Sequence, residues 1–134
     1  KEDRVIEIRA YDTVYGVWKY FTVWEEQMNL EKESYCLIGT LEAWNAMCQY
    51  FGREKMIPVY IEVEDGTRLI RAVERERTQE HPGYEELCRR FLADAKDFSE
   101  ENLKNAGITR RFENKDMNAC LEEIKLFIQK AILI

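Results

Sequence analysis

Three groups of residues have the types and spacing to do chemistry: Glu7, the pair Tyr15-Gly16, and six arginines at 68, 71, 75, 77, 89 and 90. A carboxylate presents two parallel acceptors, and beside an aromatic-lined β segment it can hold a flat, hydrogen-bonding base. Arginines carried on helices can neutralise a phosphate during transfer, where positive charge matters more than a covalent nucleophile. No G-x-x-x-x-G-K-[ST] run occurs in the 134 residues, so they carry no backbone phosphate cradle of that kind.

The elements that must position these groups follow from patterning. Arg4 to Tyr11 is strand-like, and Tyr15 to Val23, aromatic and β-branched, is predicted to pair with it through a turn near Asp12-Thr13. Ser34 to Ile38 is predicted as a short strand ending at Gly39. Thr40 then caps a helix with Leu41, Trp44, Met47, Cys48 and Phe51 on one stripe, stopped by Gly52. Met56 to Val63 is apolar enough for the centre of a parallel sheet.

A helix opening at Asp65 and running to about Arg77 turns Leu69, Ile70 and Val73 inward and Arg68, Arg71 and Arg75 largely outward. His81-Pro82-Gly83 breaks it. A second helix spans about Tyr84 to Phe98, and a shorter one follows Ser99 and ends at Gly107. Arg110 to Phe112 is a weak strand. Asp116 caps a last helix whose inner face carries Met117, Cys120, Leu121, Ile124, Phe127, Ile128 and Ala131. Strand, helix, strand, helices, strand, helix is the rhythm of an α/β parallel sheet.

Composition bounds the function. The chain is 46% apolar and 34% charged with a net charge of −6, which suits one domain over 1–134 and argues against duplex nucleic acid as the main partner. Glu74, Glu76, Glu80, Glu85 and Glu86 are interspersed with the arginines. No run of about 18 apolar residues marks a membrane span, and no signal peptide opens the sequence, so a cytoplasmic protein is expected. Lys1-Glu2-Asp3-Arg4, running straight into a strand, suggests that the natural chain begins further upstream. The cysteines at 36, 48, 88 and 120 form no C-x-x-C pair and are expected as free thiols in the core; with His81 as the one histidine, no metal site is expected.

In their order and spacing, Arg4-Val5-Ile6-Glu7, Tyr15-Gly16, Glu64-Asp65-Gly66, the Arg75/Arg77 region, Arg89-Arg90-Phe91 and Phe112-Glu113-Asn114-Lys115-Asp116 resemble the guanylate kinase family. The likeness is closest to guanylate kinase-like proteins of low-GC Gram-positive bacteria and covers essentially the whole chain. It implies the parallel-sheet core of a nucleoside monophosphate kinase, P-loop NTPase-like, whose N-terminal strand and phosphate loop lie outside these residues. On this division 1–33 is the β-rich GMP-binding part, and 34–134 is core and lid.

The resemblance implies roles residue by residue. Glu7 accepts from guanine N1–H and the exocyclic amine, a donor pair that adenine lacks; taken alone, it is an ordinary solvated strand glutamate. Tyr15, with Gly16, matches a tyrosine whose hydroxyl touches the GMP phosphate, and Tyr11 matches an aromatic near the base. Trp18, Tyr20 and Phe21 are expected as strand packing. Arg75 or Arg77 belongs to a lid over ATP, Arg90 contacts both phosphates, and Asn114 lies near adenine, with Mg-ATP as cosubstrate. Arg68 and Arg71 are expected as a salt-bridged helix surface beside Glu74.

The chain departs from the family at Val17, where Ser or Thr is usual, and at Ile38-Gly39-Thr40, where Asp-x-Asp is usual. Two functions stay open: phosphoryl transfer from ATP to GMP by a longer protein of which this piece is an inactive part, and a non-catalytic guanylate kinase-like module that binds a nucleotide or a protein. A missing strand between Ser34–Ile38 and Met56–Val63 would further make the isolated piece self-associate through open edges, or pair those strands directly.

Overall fold

The computed structural model describes residues 4–25 and 29–132; the opening Lys1-Glu2-Asp3 lies outside them. The chain divides into two compact units, Lys1–Met56 and Ile57–Ile134. Among the described residues the architecture is mixed α/β, with one antiparallel and one parallel two-stranded sheet. No helix among them is long and apolar enough to cross a membrane.

In the first unit, β1 (Val5–Thr13) and β2 (Gly16–Val23) form a hairpin with Glu7 opposite Thr22, Arg9 opposite Tyr20 and Tyr11 opposite Trp18. The register shifts between Val5 and Glu7, a bulge at Ile6 that re-aims the residues after it. The turn is Val14-Tyr15, two residues later than Asp12-Thr13. Thr13 stays in the ladder, its hydroxyl donating to the Gly16 carbonyl at 2.8 Å and accepting from the Tyr15 amide at 3.1 Å. Gly16 completes the turn at φ 104°, a conformation that costs glycine little.

The helix α1 (Leu41–Phe51) forms as expected: Thr40 accepts from the Ala43 amide at 3.3 Å, and Gly52 ends it at φ 92°. Leu41, Ala43 and Met47 are its buried residues, and its Phe51 ring lies 5.5 Å from Trp24 beyond β2. This helix therefore packs with the hairpin, whereas the sequence division at 33/34 groups it with the core. Ser34–Ile38 forms no strand and Ile38 is fully exposed, because an apolar run becomes a strand only where a partner supplies the ladder.

In the second unit, β3 shrinks to Tyr60–Glu62, since it pairs in parallel only with the three residues of β4 (Arg111–Glu113). Between them lie α2 (Asp65–Arg77), α3 (Tyr84–Asp97) and α4 (Glu100–Asn105), and α5 (Met117–Ile132) follows β4. The α2 cap is Glu64, one residue before Asp65; its carboxylate takes the Gly66 and Thr67 amides at 2.8 Å each. Leu103 and Phe112 are fully buried, with Leu87, Ala106, Ile108 and Cys120 also in the core and the Phe127 ring tilted against Phe112 at 5.3 Å.

Several side chains depart from expectation. Leu69 and Ile70 of α2 are exposed, while Arg68 keeps the expected helix-surface ion pair, with Asp65 at 3.2 Å, and also lies 4.2 Å over the Phe91 ring of α3, a cation–π contact that the amphipathic pattern cannot show. On α5, Cys120 is buried but Met117 and Leu121 are exposed. Of the four free thiols, Cys36 and Cys88 are exposed, correcting their placement in the core; burial pushes the Cys48 thiol up in pKa.

Candidate functional site

The hairpin face that carries Glu7, Arg9 and Tyr11 also carries Thr22, Tyr20 and Trp18, because side chains alternate along each strand and meet across the ladder. Glu7 is not a solvated strand glutamate: its side chain is 5% exposed and that of Arg9 is 12%. Arg9 Nε donates to one Glu7 oxygen at 2.8 Å, and the Thr22 hydroxyl donates to the other at 2.6 Å. Arg9 Nη1 donates to the Thr40 hydroxyl at 2.8 Å, so the hairpin is tied to the cap of α1. Burial works against the Arg9 charge, but hydrogen bonds with Glu7 and Tyr11 outweigh it and hold its pKa above the ordinary value.

Each Glu7 oxygen thus has one strong partner. A carboxylate has about four acceptor positions, so acceptor capacity remains on both oxygens. Tyr11 packs edge-on against Tyr20 at 5.8 Å, and Tyr15, exposed at the turn, lies nearly parallel to Trp18 at 6.3 Å. Trp18, Tyr20 and Phe21 are all exposed, which corrects the expectation that they are packed within the strands.

The arginines and Asn114 belong to the second unit. Arg75 and Arg77 are exposed on the last turn of α2, and neither forms an ion pair among the described residues. Arg90, on α3, has a side chain 53% exposed above two carboxylates: Glu76 Oε2 lies 3.9 Å from Nη2, and Glu86 Oε1 lies 3.9 Å from Nε. Those separations give Coulomb attraction without hydrogen bonding, so among the described residues the Arg90 donors stay uncommitted.

The carboxylates below are themselves pinned. Glu86 is taken bidentately by Arg89, Nε at 2.9 Å and Nη2 at 2.7 Å, and Glu76 accepts the Gly83 amide at 2.7 Å. Burial pushes the neighbouring Asp94 carboxyl above its usual range, although Arg68, Arg90 and Arg89 act in the opposite sense.

Arg71 does not pair with Glu74, as its spacing suggests. It reaches the loop after β4, donating to the carbonyls of Asn114 at 2.9 Å and Lys115 at 3.0 Å. The Asn114 amide N–H continues the β3–β4 ladder to the Glu62 carbonyl at 2.8 Å, while its side-chain Oδ1 is buried and has no hydrogen-bond partner.

Comparison of the chain with family models, with curated proteins and with solved structures finds no match. The geometry stands by itself: a carboxylate–arginine pair with aromatics in one unit, and in the other an arginine held at 3.9 Å from two carboxylates. Sequence reasoning missed Arg9, Thr22 and Thr40 as partners of Glu7. Strand alternation puts Glu7 and Arg9 on one face, but Thr22 joins them only once the bulge sets the register. It also missed Glu76 and Glu86, which stand in a charged run where many pairings satisfy the same spacing.

Proposed function

We propose that the chain is the greater part of a guanylate kinase-like phosphotransferase, moving the γ-phosphoryl group of ATP to GMP with release of ADP and GDP. One observation carries this reading: Arg90 stands over two pinned carboxylates with its donors uncommitted. A guanidinium so held can meet the equatorial oxygens of a transferring phosphoryl group without breaking a hydrogen bond first, which is how preorganised charge lowers a barrier.

The other roles follow from chemistry. Glu7 offers acceptors to guanine N1–H and the exocyclic amine, with Arg9 and Thr22 fixing its oxygens. Tyr11 lies beside the base, and Tyr15, turned out by Gly16, reaches the acceptor phosphate. Arg75 or Arg77 covers the donor nucleotide, and Asn114 lies near the adenine. Magnesium arriving with ATP supplies further charge neutralisation at its phosphates. A parallel-sheet P-loop core is part of the proposal, although residues 1–134 contain no G-x-x-x-x-G-K-[ST] run.

The test is direct. The full-length protein, given ATP, magnesium and GMP, should yield ADP and GDP in equal amounts, and replacing GMP by AMP should abolish turnover. Nucleotide binding without turnover would support the second reading, a non-catalytic module, which is favoured by one observation: each Glu7 oxygen already holds a strong internal donor.

A further inference from the structure

We propose that Glu76 is a positioning residue for Arg90, a role that rests on Arg90 acting at the transferring phosphoryl group. Glu76 stands on the last full turn of α2, its side chain only 14% exposed, with two oxygens in different employment. Oε1 accepts the amide of Gly83, the residue before α3, at 2.7 Å; Oε2 faces Arg90 Nη2 at 3.9 Å. The short bond fixes the carboxylate, and the long one attracts the guanidinium without consuming a donor. One side chain therefore sets both the entry of α3 and the standing position of the arginine it carries.

Glu86 cannot supply this alone. Its oxygens are claimed by Arg89 at 2.9 and 2.7 Å, so its charge is already largely offset where Arg90 Nε lies 3.9 Å away. Asp94, one turn further along α3, has its carboxyl pushed up by burial. Among the described residues Glu76 has only a neutral amide as its close partner, which leaves its charge to act on Arg90. A side chain as long as arginine loses several rotatable bonds of freedom when it is placed, and a fixed opposite charge reduces that loss before the substrate arrives.

Glu76→Gln separates the two duties, because the amide oxygen still accepts from Gly83 while the charge is gone. In the full-length protein, kcat for GDP formation should fall on the order of tenfold with KM for GMP changed less than about twofold. Glu76→Asp, which keeps the charge but shortens its reach, should lie between the two. In an Arg90→Ala background, Glu76→Gln should cause no further loss.

A Glu76→Gln enzyme with unchanged kcat, or one whose loss persists undiminished without Arg90, would overturn the proposal and leave Glu76 as a cap alone. If the wild-type protein makes no GDP, the transfer reading fails separately. The positioning claim is then decided by NMR order parameters of the Arg90 Nε–H: looser in Glu76→Gln than in wild type supports it, and equal values overturn it.

Discussion

Glu7→Gln is the substitution on which the hairpin site depends most. The wild-type carboxylate accepts a charged hydrogen bond from Arg9 at 2.8 Å and a second from Thr22 at 2.6 Å, with side chains 5% and 12% exposed for Glu7 and Arg9. Glutamine keeps one acceptor oxygen and turns its NH2 toward whichever donor remains. It also strips the nearly buried guanidinium of its counter-charge. A lost charged hydrogen bond is worth about 1.5–3 kcal/mol, and leaving one partner of a buried pair alone costs about 3–5 kcal/mol. Some solvent access and the retained Arg9–Thr40 bond at 2.8 Å place the expected loss near the lower figure, about 2–3 kcal/mol.

Urea unfolding of both proteins, with the same m-value, measures the loss directly. GMP affinity, followed by calorimetry, should fall by about 1–3 kcal/mol as a donor comes to face the guanine donors. A stability loss below about 0.5 kcal/mol would refute the buried pair. Equal affinities for GMP and AMP, unchanged by the substitution, would refute base reading while leaving the buried pair intact.

Other predictions follow from the second unit. Arg71→Ala removes donors to the Asn114 and Lys115 carbonyls and should cost about 1–2 kcal/mol in thermal unfolding, with weaker ATP binding as the loop loosens. Phe112→Ala empties a fully buried site against Phe127 and should cost about 3–5 kcal/mol by urea unfolding. Glu64 is held below the ordinary carboxylate value of 4.5 by the amides of Gly66 and Thr67, so its stabilisation is complete above that value and is lost as pH falls through the lower folded value. Melting temperatures between roughly pH 5 and pH 3 should therefore fall less steeply for Glu64→Gln than for wild type. Sedimentation of the isolated 134 residues should show self-association through the open edge of β3, and a monomer at all concentrations would contradict that.

Much of the local structure was legible because it is written in short-range chemistry. Thr40 and Gly52 bound α1 as their side-chain and backbone preferences require, and His81-Pro82-Gly83 separates α2 from α3. What depends on partners was not legible. Ser34–Ile38 has a strand's composition but no ladder, and Met56–Val63 is cut to Tyr60–Glu62 by the length of β4. The turn moved from Asp12-Thr13 to Val14-Tyr15 because the Thr13 hydroxyl closes it locally. Arg68 and Arg71 look like surface charges, yet one lies over Phe91 and the other clamps a loop more than forty residues away in sequence. Glu7 was singled out, but its burial arises from Arg9, Thr22 and the bulge, none of which alternation alone fixes.

The central claim is that Arg90 stabilises a transferring phosphoryl group. It is tested most directly by the steady-state kinetics of GDP formation by the full-length protein and its Arg90→Ala and Arg68→Ala variants. Arg90→Ala should lower kcat by on the order of 10²-fold or more with a smaller change in KM for GMP, because its charge is used mainly in the transition state. Arg68→Ala, which loses a ring contact within the second unit, should melt earlier and keep kcat within about twofold. Equal kcat losses in the two variants, or no loss in Arg90→Ala, would contradict the claim.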